Sequence, residues 1–129
     1  MTNSISVTLR TFLLALPIAC ASPSASQSAD PKSFQQSIAT DGVQLIDVRT
    51  PAEFESGHIA GARNLDWTGG QLELHAVELD RSRPVLLYCA SGRRSAAAST
   101  FLKQEGFTMV TDLAGGIHAW EAAGLPLAR

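Results

Sequence analysis

The run Val85-Leu86-Leu87-Tyr88 has no charged residue on either alternate face, and it restricts the fold more than any other stretch. A strand with one wet face alternates apolar and polar positions. One that is apolar throughout must be covered on both sides, like a central strand of a parallel sheet. The run ends at Cys89-Ala90-Ser91-Gly92-Arg93-Arg94-Ser95, a short glycine-containing loop that leads into a helix. Strand, loop and helix start in that order put the loop at the carboxyl end of the sheet, where open α/β folds bind ligands.

The flanking segments alternate in the same manner. Phe34 to Thr40 is predicted as a short helix with Phe34 and Ile38 on one face, ended by Asp41-Gly42. Val43 to Val48 is predicted as a strand. Thr50-Pro51-Ala52-Glu53 has the parts of a helix start, with Thr50 to cap, Pro51 in the first turn and Glu53 to complete a capping box. Gly57 should stop that helix, and Ala62 to Leu65 should form a short strand. Gln71 to Leu79 is predicted as a helix presenting Leu72, His75, Ala76 and Leu79 on one face. Arg94 to Glu105 should turn Ala97, Ala98, Phe101 and Leu102 inward and end at Gly106. Met109 to Leu113 is the last predicted strand, and Ile117 to Ala122 the last helix. The alternation implies an α/β three-layer fold with a mainly parallel sheet.

A chain of 129 residues accommodates one domain. Ten basic residues against twelve acidic ones give no general basic field, which argues against nucleic acid or an anionic membrane surface as partner. The first 21 residues have the pattern of a secretory signal, with Arg10, an apolar core too short to span a membrane, and Ala19-Cys20-Ala21 as a cleavage site. An alternative route is lipidation at Cys20, although Pro17 fits that pattern poorly. Residues 22–31 are small, polar and bounded by proline, so a flexible linker is expected there, with the folded domain spanning 32–129. Cleavage after Ala21 would leave Cys89 as the sole thiol, unable to form an internal disulfide.

The loop chemistry follows from its residues. Only the thiolate of a cysteine is a strong nucleophile. Backbone N–H groups of a tight turn, permitted by Gly92, can form an anion nest around Cys89. The helix start adds the positive end of a dipole, and Arg94 adds a charge and a bidentate fork. Basic residues at a helix N-terminus are unfavourable unless an anion accompanies them, which argues against Arg93 and Arg94 as mere solvated surface. Together these describe a cradle for a small oxyanion with a nucleophile at its base.

Four segments of the chain resemble the rhodanese family: 45–54, 57–64, the Cys89 loop through Arg94-Ser95, and Leu113-Ala114-Gly115-Gly116 leading to Trp120. The resemblance implies a three-layer α/β/α rhodanese-like domain with a mainly parallel five-stranded sheet, acting as a sulfurtransferase. Cys89 would be the catalytic residue, attacking the sulfane sulfur of a donor such as thiosulfate. Its persulfide would then pass sulfur to cyanide or a thiol. Ala90, Ser91, Gly92, Arg93, Arg94 and Ser95 would bind the donor, while Asp47, Arg49 and His58 would hold the surrounding loops. No metal or organic cofactor is implied, the histidines lack ligand spacing, and a protein sulfur acceptor is left open. Four residues separate Cys89 from Arg94. Related phosphatases have a longer spacer that makes room for a phosphoryl group. One departure concerns Ala90, because family loops often carry a basic residue there. A non-turnover sulfur-carrier or binding module of the cell envelope is therefore the alternative function.

The remaining candidates have plainer readings. Glu53 is explained by capping, and His58 as a turn residue rather than a base. His75 and His118 read as packing or surface residues. Trp120 should fill the core, and Trp67 should line the site rim. Gly115-Gly116 permits close backbone approach but lacks the spacing of a phosphate-binding fingerprint.

Overall fold

A computed structural model describes residues 27–129. The expected signal segment, the cleavage site, Cys20 and residues 22–26 lie outside the described residues. Among the described residues no helix is long and apolar enough to cross a membrane.

The elements follow in the order β1 (Gln27–Ala29), α1 (Pro31–Ile38), β2 (Gln44–Asp47), α2 (Pro51–Ser56), β3 (Arg63–Asn64), α3 (Gln71–His75), β4 (Val85–Tyr88), α4 (Arg93–Gln104), β5 (Val110–Leu113) and α5 (Gly116–Ala122). The five strands form one sheet in the order β1-β5-β4-β2-β3, and every pairing is parallel. β4 is the central strand and is buried at all four positions.

Strand parity sorts the core into two layers. Val85, Leu87 and Cys89 join Leu72, Ala98, Leu102 and Val110 on the face covered by α3 and α4. Leu86 and Tyr88 point the other way and pack with Phe34, Leu113, Ile117 and Trp120 beneath α1 and α5. Trp120 meets the Phe34 ring edge-on and donates its indole N–H to the Pro126 carbonyl, so its bulk is buried without an orphaned donor.

Local signals hold where the interaction is local. Thr50 and Glu53 form the reciprocal capping box of α2. Gly106, at φ +94°, follows the end of α4, and Phe107 N–H closes the turn onto the Leu102 carbonyl.

Elsewhere tertiary context wins. The expected linker 22–31 is shortened at its end, because Gln27–Ala29 pairs with Thr111–Leu113 as an edge strand. Asp30 caps α1 by accepting from the Lys32 and Ser33 N–H groups, which starts that helix ahead of Phe34. The helix expected through Leu79 leaves α geometry after His75 and continues as a 3-10 turn over Ala76–Glu78. On α4, Ala97 is exposed, whereas Ser95 and Ser99 are buried beside Ala98 and Leu102. The helix thus turns a partly polar face onto the sheet, and that face carries part of the site.

Candidate active site

Cys89 is the first residue after β4 and keeps the facing of Val85 and Leu87, toward α4. Gly92, at φ +104°, bends the loop into α4. The Gly92 N–H donates to Cys89 Sγ at 3.0 Å, and the thiol lies 3.5 Å from the Ser95 hydroxyl. The residue is only 1% exposed. Burial opposes ionisation, yet the Ser95 hydroxyl and the backbone N–H groups of Ser95, Gly92 and Ser91 outweigh it, and the thiol pKa is lowered.

The loop is held from behind by α5. Its Ile117 and His118 N–H groups donate to the Cys89 and Ala90 carbonyls at 2.8 and 3.2 Å. With these two carbonyls turned outward, the following N–H groups can face the sulfur. The approach needs a glycine, since a Cβ on Gly116 would sit 2.5 Å from the Ala90 oxygen, and the residue has φ +61°. Gly115-Gly116 is a backbone contact on the nucleophile's loop.

Arg94 is not an empty fork. Its two terminal nitrogens each donate to a carboxylate oxygen of Glu53 at 2.8 Å. The guanidinium pulls the Glu53 carboxyl down to about 2 against a smaller opposing effect of burial, with the Thr50 contacts assisting. The anion that a basic helix start requires is therefore supplied by α2, and Glu53 is more than a cap. Arg93 and Ser91 are exposed, Ala90 is half-buried, and Ser95 is fully buried.

Across the sheet, Asp47 and Arg49 form a buried ion pair at 2.6 Å. Arg49 also donates to the Gly57 carbonyl and lies 5.6 Å from the Tyr88 ring centre. Burial alone would disfavour the charged guanidinium, but Asp47 reverses that and holds its pKa above the ordinary value. The Tyr88 phenol is pushed well up, first by burial and then by the Asp47 charge, and accepts the Ile59 N–H. His58 stacks on Phe54 with ring centres 3.8 Å apart, and its Nδ1 meets the Phe54 carbonyl at 3.0 Å. Trp67, expected at the rim, packs instead against the α4-side core with Phe101.

A cleft of about 260 Å³ reaches the loop at Ala90 and is bordered by Arg49, Glu53, His118 and Glu121. One functional candidate escaped the sequence reading. Asp112, buried in β5, takes a short hydrogen bond from Ser95. An acidic residue two positions after Val110 in a buried strand was the available signal, because parity puts it on the Cys89 face.

The sequence model of the Rhodanese-like domain matches residues 30–123, and the chain belongs to that family. It is 40% identical over 104 residues to a protein named Sulfurtransferase from Allochromatium vinosum, an alignment covering 76% of this chain and 91% of that one. It is 37% identical over 116 residues to the chloroplastic Thiosulfate sulfurtransferase 16 of Arabidopsis thaliana, covering 79% and 97% respectively. Among solved structures, a rhodanese-related protein from Thermoplasma volcanium superposes with a TM-score of 0.70 at 32% identity, covering 79% of this chain and 97% of that one.

Proposed function

We propose that this chain is a sulfurtransferase in which Cys89 takes a sulfane sulfur from a donor and delivers it, as a persulfide, to a thiol or to cyanide. The observation that carries this reading is the sulfur's setting, a buried thiol of lowered pKa that accepts the Gly92 N–H in a loop at the end of the central strand. The thiolate attacks the donor's outer sulfur. A new S–S bond forms as the bond to the leaving group breaks, and the leaving group departs with the electron pair. The acceptor then attacks the outer sulfur and regenerates the thiolate. The inward N–H groups stabilise thiolate and persulfide anion alike.

The charge inventory bears on the donor. Arg49 is committed to Asp47 and Arg94 to Glu53, while Glu121 adds a further negative charge at the cleft. A doubly charged donor such as thiosulfate meets no uncommitted guanidinium among the cleft residues. A thiol persulfide, whose reacting sulfur end carries at most one charge, suits this environment better. Ala90, uncharged where a cation would face an anionic donor, also favours the second reading, a sulfur carrier with negligible cyanide turnover. On the N-terminal pattern we place the protein in the periplasm or outside the cell.

Purified protein is incubated with thiosulfate, mercaptopyruvate or glutathione persulfide, and the Cys89 peptide is weighed. The expected result is a gain of one sulfur atom that Cys89→Ser abolishes, with cyanide turnover separating enzyme from carrier. No gain with any donor overturns the proposal. Ala90→Lys should raise kcat/KM for thiosulfate about tenfold relative to glutathione persulfide, about 1.4 kcal/mol of added stabilisation.

A further inference from the structure

Cys89, Ser95 and Asp112 come from three different elements and form one hydrogen-bonded line on the α4 face of the sheet. The thiol lies 3.5 Å from Ser95 Oγ, and Ser95 Oγ is in short contact with Asp112 Oδ1. Cys89 is 1% exposed and Asp112 8%, so the thiol proton has little direct access to water. Ser95 Oγ is the side-chain acceptor that the structure offers it among the described residues. A hydroxyl has one proton and two lone pairs. With its proton directed to Asp112, Ser95 turns a lone pair toward the thiol.

We propose that Asp112 is a positioning residue for Cys89 that holds the thiol proton, received through Ser95, when the thiolate forms. The inference rests on the sulfur-transfer reading above and assigns Asp112 a part in it. The step balances without any external reagent. The Sγ–H bond breaks and its electron pair stays on sulfur, while that proton forms a bond to Ser95 Oγ. The original Oγ–H bond breaks and its proton forms a bond to Asp112 Oδ1. Before the shift the line reads thiol, hydroxyl, carboxylate; afterwards it reads thiolate, hydroxyl, carboxylic acid. One negative charge is present throughout and only changes place.

The surroundings suit a shared charge. Among the described residues no cation faces Asp112. Its register neighbours on either side are Leu87 of β4 and Ser28 of β1, and α4 presents Ser95. Burial accordingly raises its pKa against the pull of the Ser95 bond. Arg94 of α4 interacts electrostatically with Cys89, and is itself tied to Glu53 of α2 and influenced by Asp66. From α5 the loop receives the backbone N–H groups of Ile117 and His118. Arg94 therefore favours charge at the sulfur end of the line, and nothing pins it at the carboxylate end.

The test is a titration of thiolate ultraviolet absorbance in the full chain carrying Cys20→Ser, so that Cys89 is the sole thiol. Two groups sharing one proton titrate as a pair. The expected curve has two steps, with a pH-independent thiolate fraction between them. Asp112→Asn and Ser95→Ala should each lose the lower step and leave a single one. Asp112→Asn should also slow persulfide formation below neutral pH on the order of 10²-fold, the usual worth of a positioned proton acceptor. A single step in the parent protein, or a curve that Asp112→Asn leaves unchanged or moves to lower pH, overturns the proposal. If either variant fails to fold by circular dichroism, the parent curve and the other variant decide. The absorbance readout needs no sulfur donor, so failure of sulfur transfer registers separately.

Discussion

Asp47 and Asp112 are both buried carboxylates on the one sheet, and they face opposite layers. Asp47 accepts four hydrogen bonds, three from the Arg49 side chain and one from the Arg49 backbone. Asp112 takes one side-chain hydrogen bond, from a neutral hydroxyl. The first carboxylate is saturated by a full opposite charge, and Arg49 passes the restraint on to the Gly57 carbonyl. That cluster clamps β2 to the turn ahead of β3. Among the described residues the second faces no cation, and it contacts the nucleophile through a group that can both give and receive a proton. Within one core, complete charge compensation makes scaffold, and its omission leaves a group whose protonation state can respond to chemistry.

The largest expected effect tests the scaffold side. Arg49→Ala strands the Asp47 charge in the core, and breaking a buried pair from one side costs about 3–5 kcal/mol. Asp112→Asn keeps an acceptor for Ser95 and should cost about 1 kcal/mol, the worth of one weakened hydrogen bond. Denaturant unfolding monitored by circular dichroism measures both. Equal losses would erase the distinction between the two carboxylates.

A narrower comparison concerns two glycines of positive φ. Gly61, at φ +84°, has nothing within 4 Å of a built Cβ, whereas Gly116 would meet backbone oxygens of the Cys89 loop. Gly61→Ala should therefore cost only the backbone strain, about 1–3 kcal/mol, with the Cys89 pKa unmoved. Gly116→Ala bears similar strain and also displaces the loop, so it should raise the thiol pKa and slow sulfur transfer. Thiolate absorbance in both variants provides the check. An unmoved thiol in Gly116→Ala would show that the loop holds its shape without α5.

The contrast also explains what could be read from the chain before its structure. The β4 run, the Thr50–Glu53 box and the Gly106 stop are legible because each depends on neighbours in sequence. β1 is not legible in this way, because Gln27-Ser28-Ala29 has no strand character of its own and is a strand only through β5. Ala97 is apolar and is expected inward on that ground, yet the rotation of α4 about the sheet buries Ser95 and Ser99 instead. The need for an anion beside Arg94 was readable from helix electrostatics. That Glu53 supplies it was not, since 41 residues separate the pair. Asp112 lay within reach of a parity argument, because Val85, Leu87 and Cys89 share a face with Val110 and hence with Asp112.

The smallest effect belongs to the Glu53–Arg94 pair, which lies between the scaffold and the chemistry. The Arg94 guanidinium lowers the Glu53 carboxyl from an ordinary 4.5 to about 2. A carboxyl depressed on folding contributes stability that is fully present above its unfolded value and is lost as pH falls through its folded one. Stability should therefore decline between about 4.5 and about 2 in the parent protein, and Glu53→Gln should remove that part of the slope. Both side chains are partly exposed, at 36% and 26%, so solvent screening keeps the contribution below about 1 kcal/mol. The same substitution frees the Arg94 fork beside the nucleophile. Thiosulfate turnover should then rise at neutral pH, in the direction of Ala90→Lys, even as the fold loses a contact. A fall in thiosulfate turnover would place Arg94 with Arg49, as a residue whose charge is used to hold a loop.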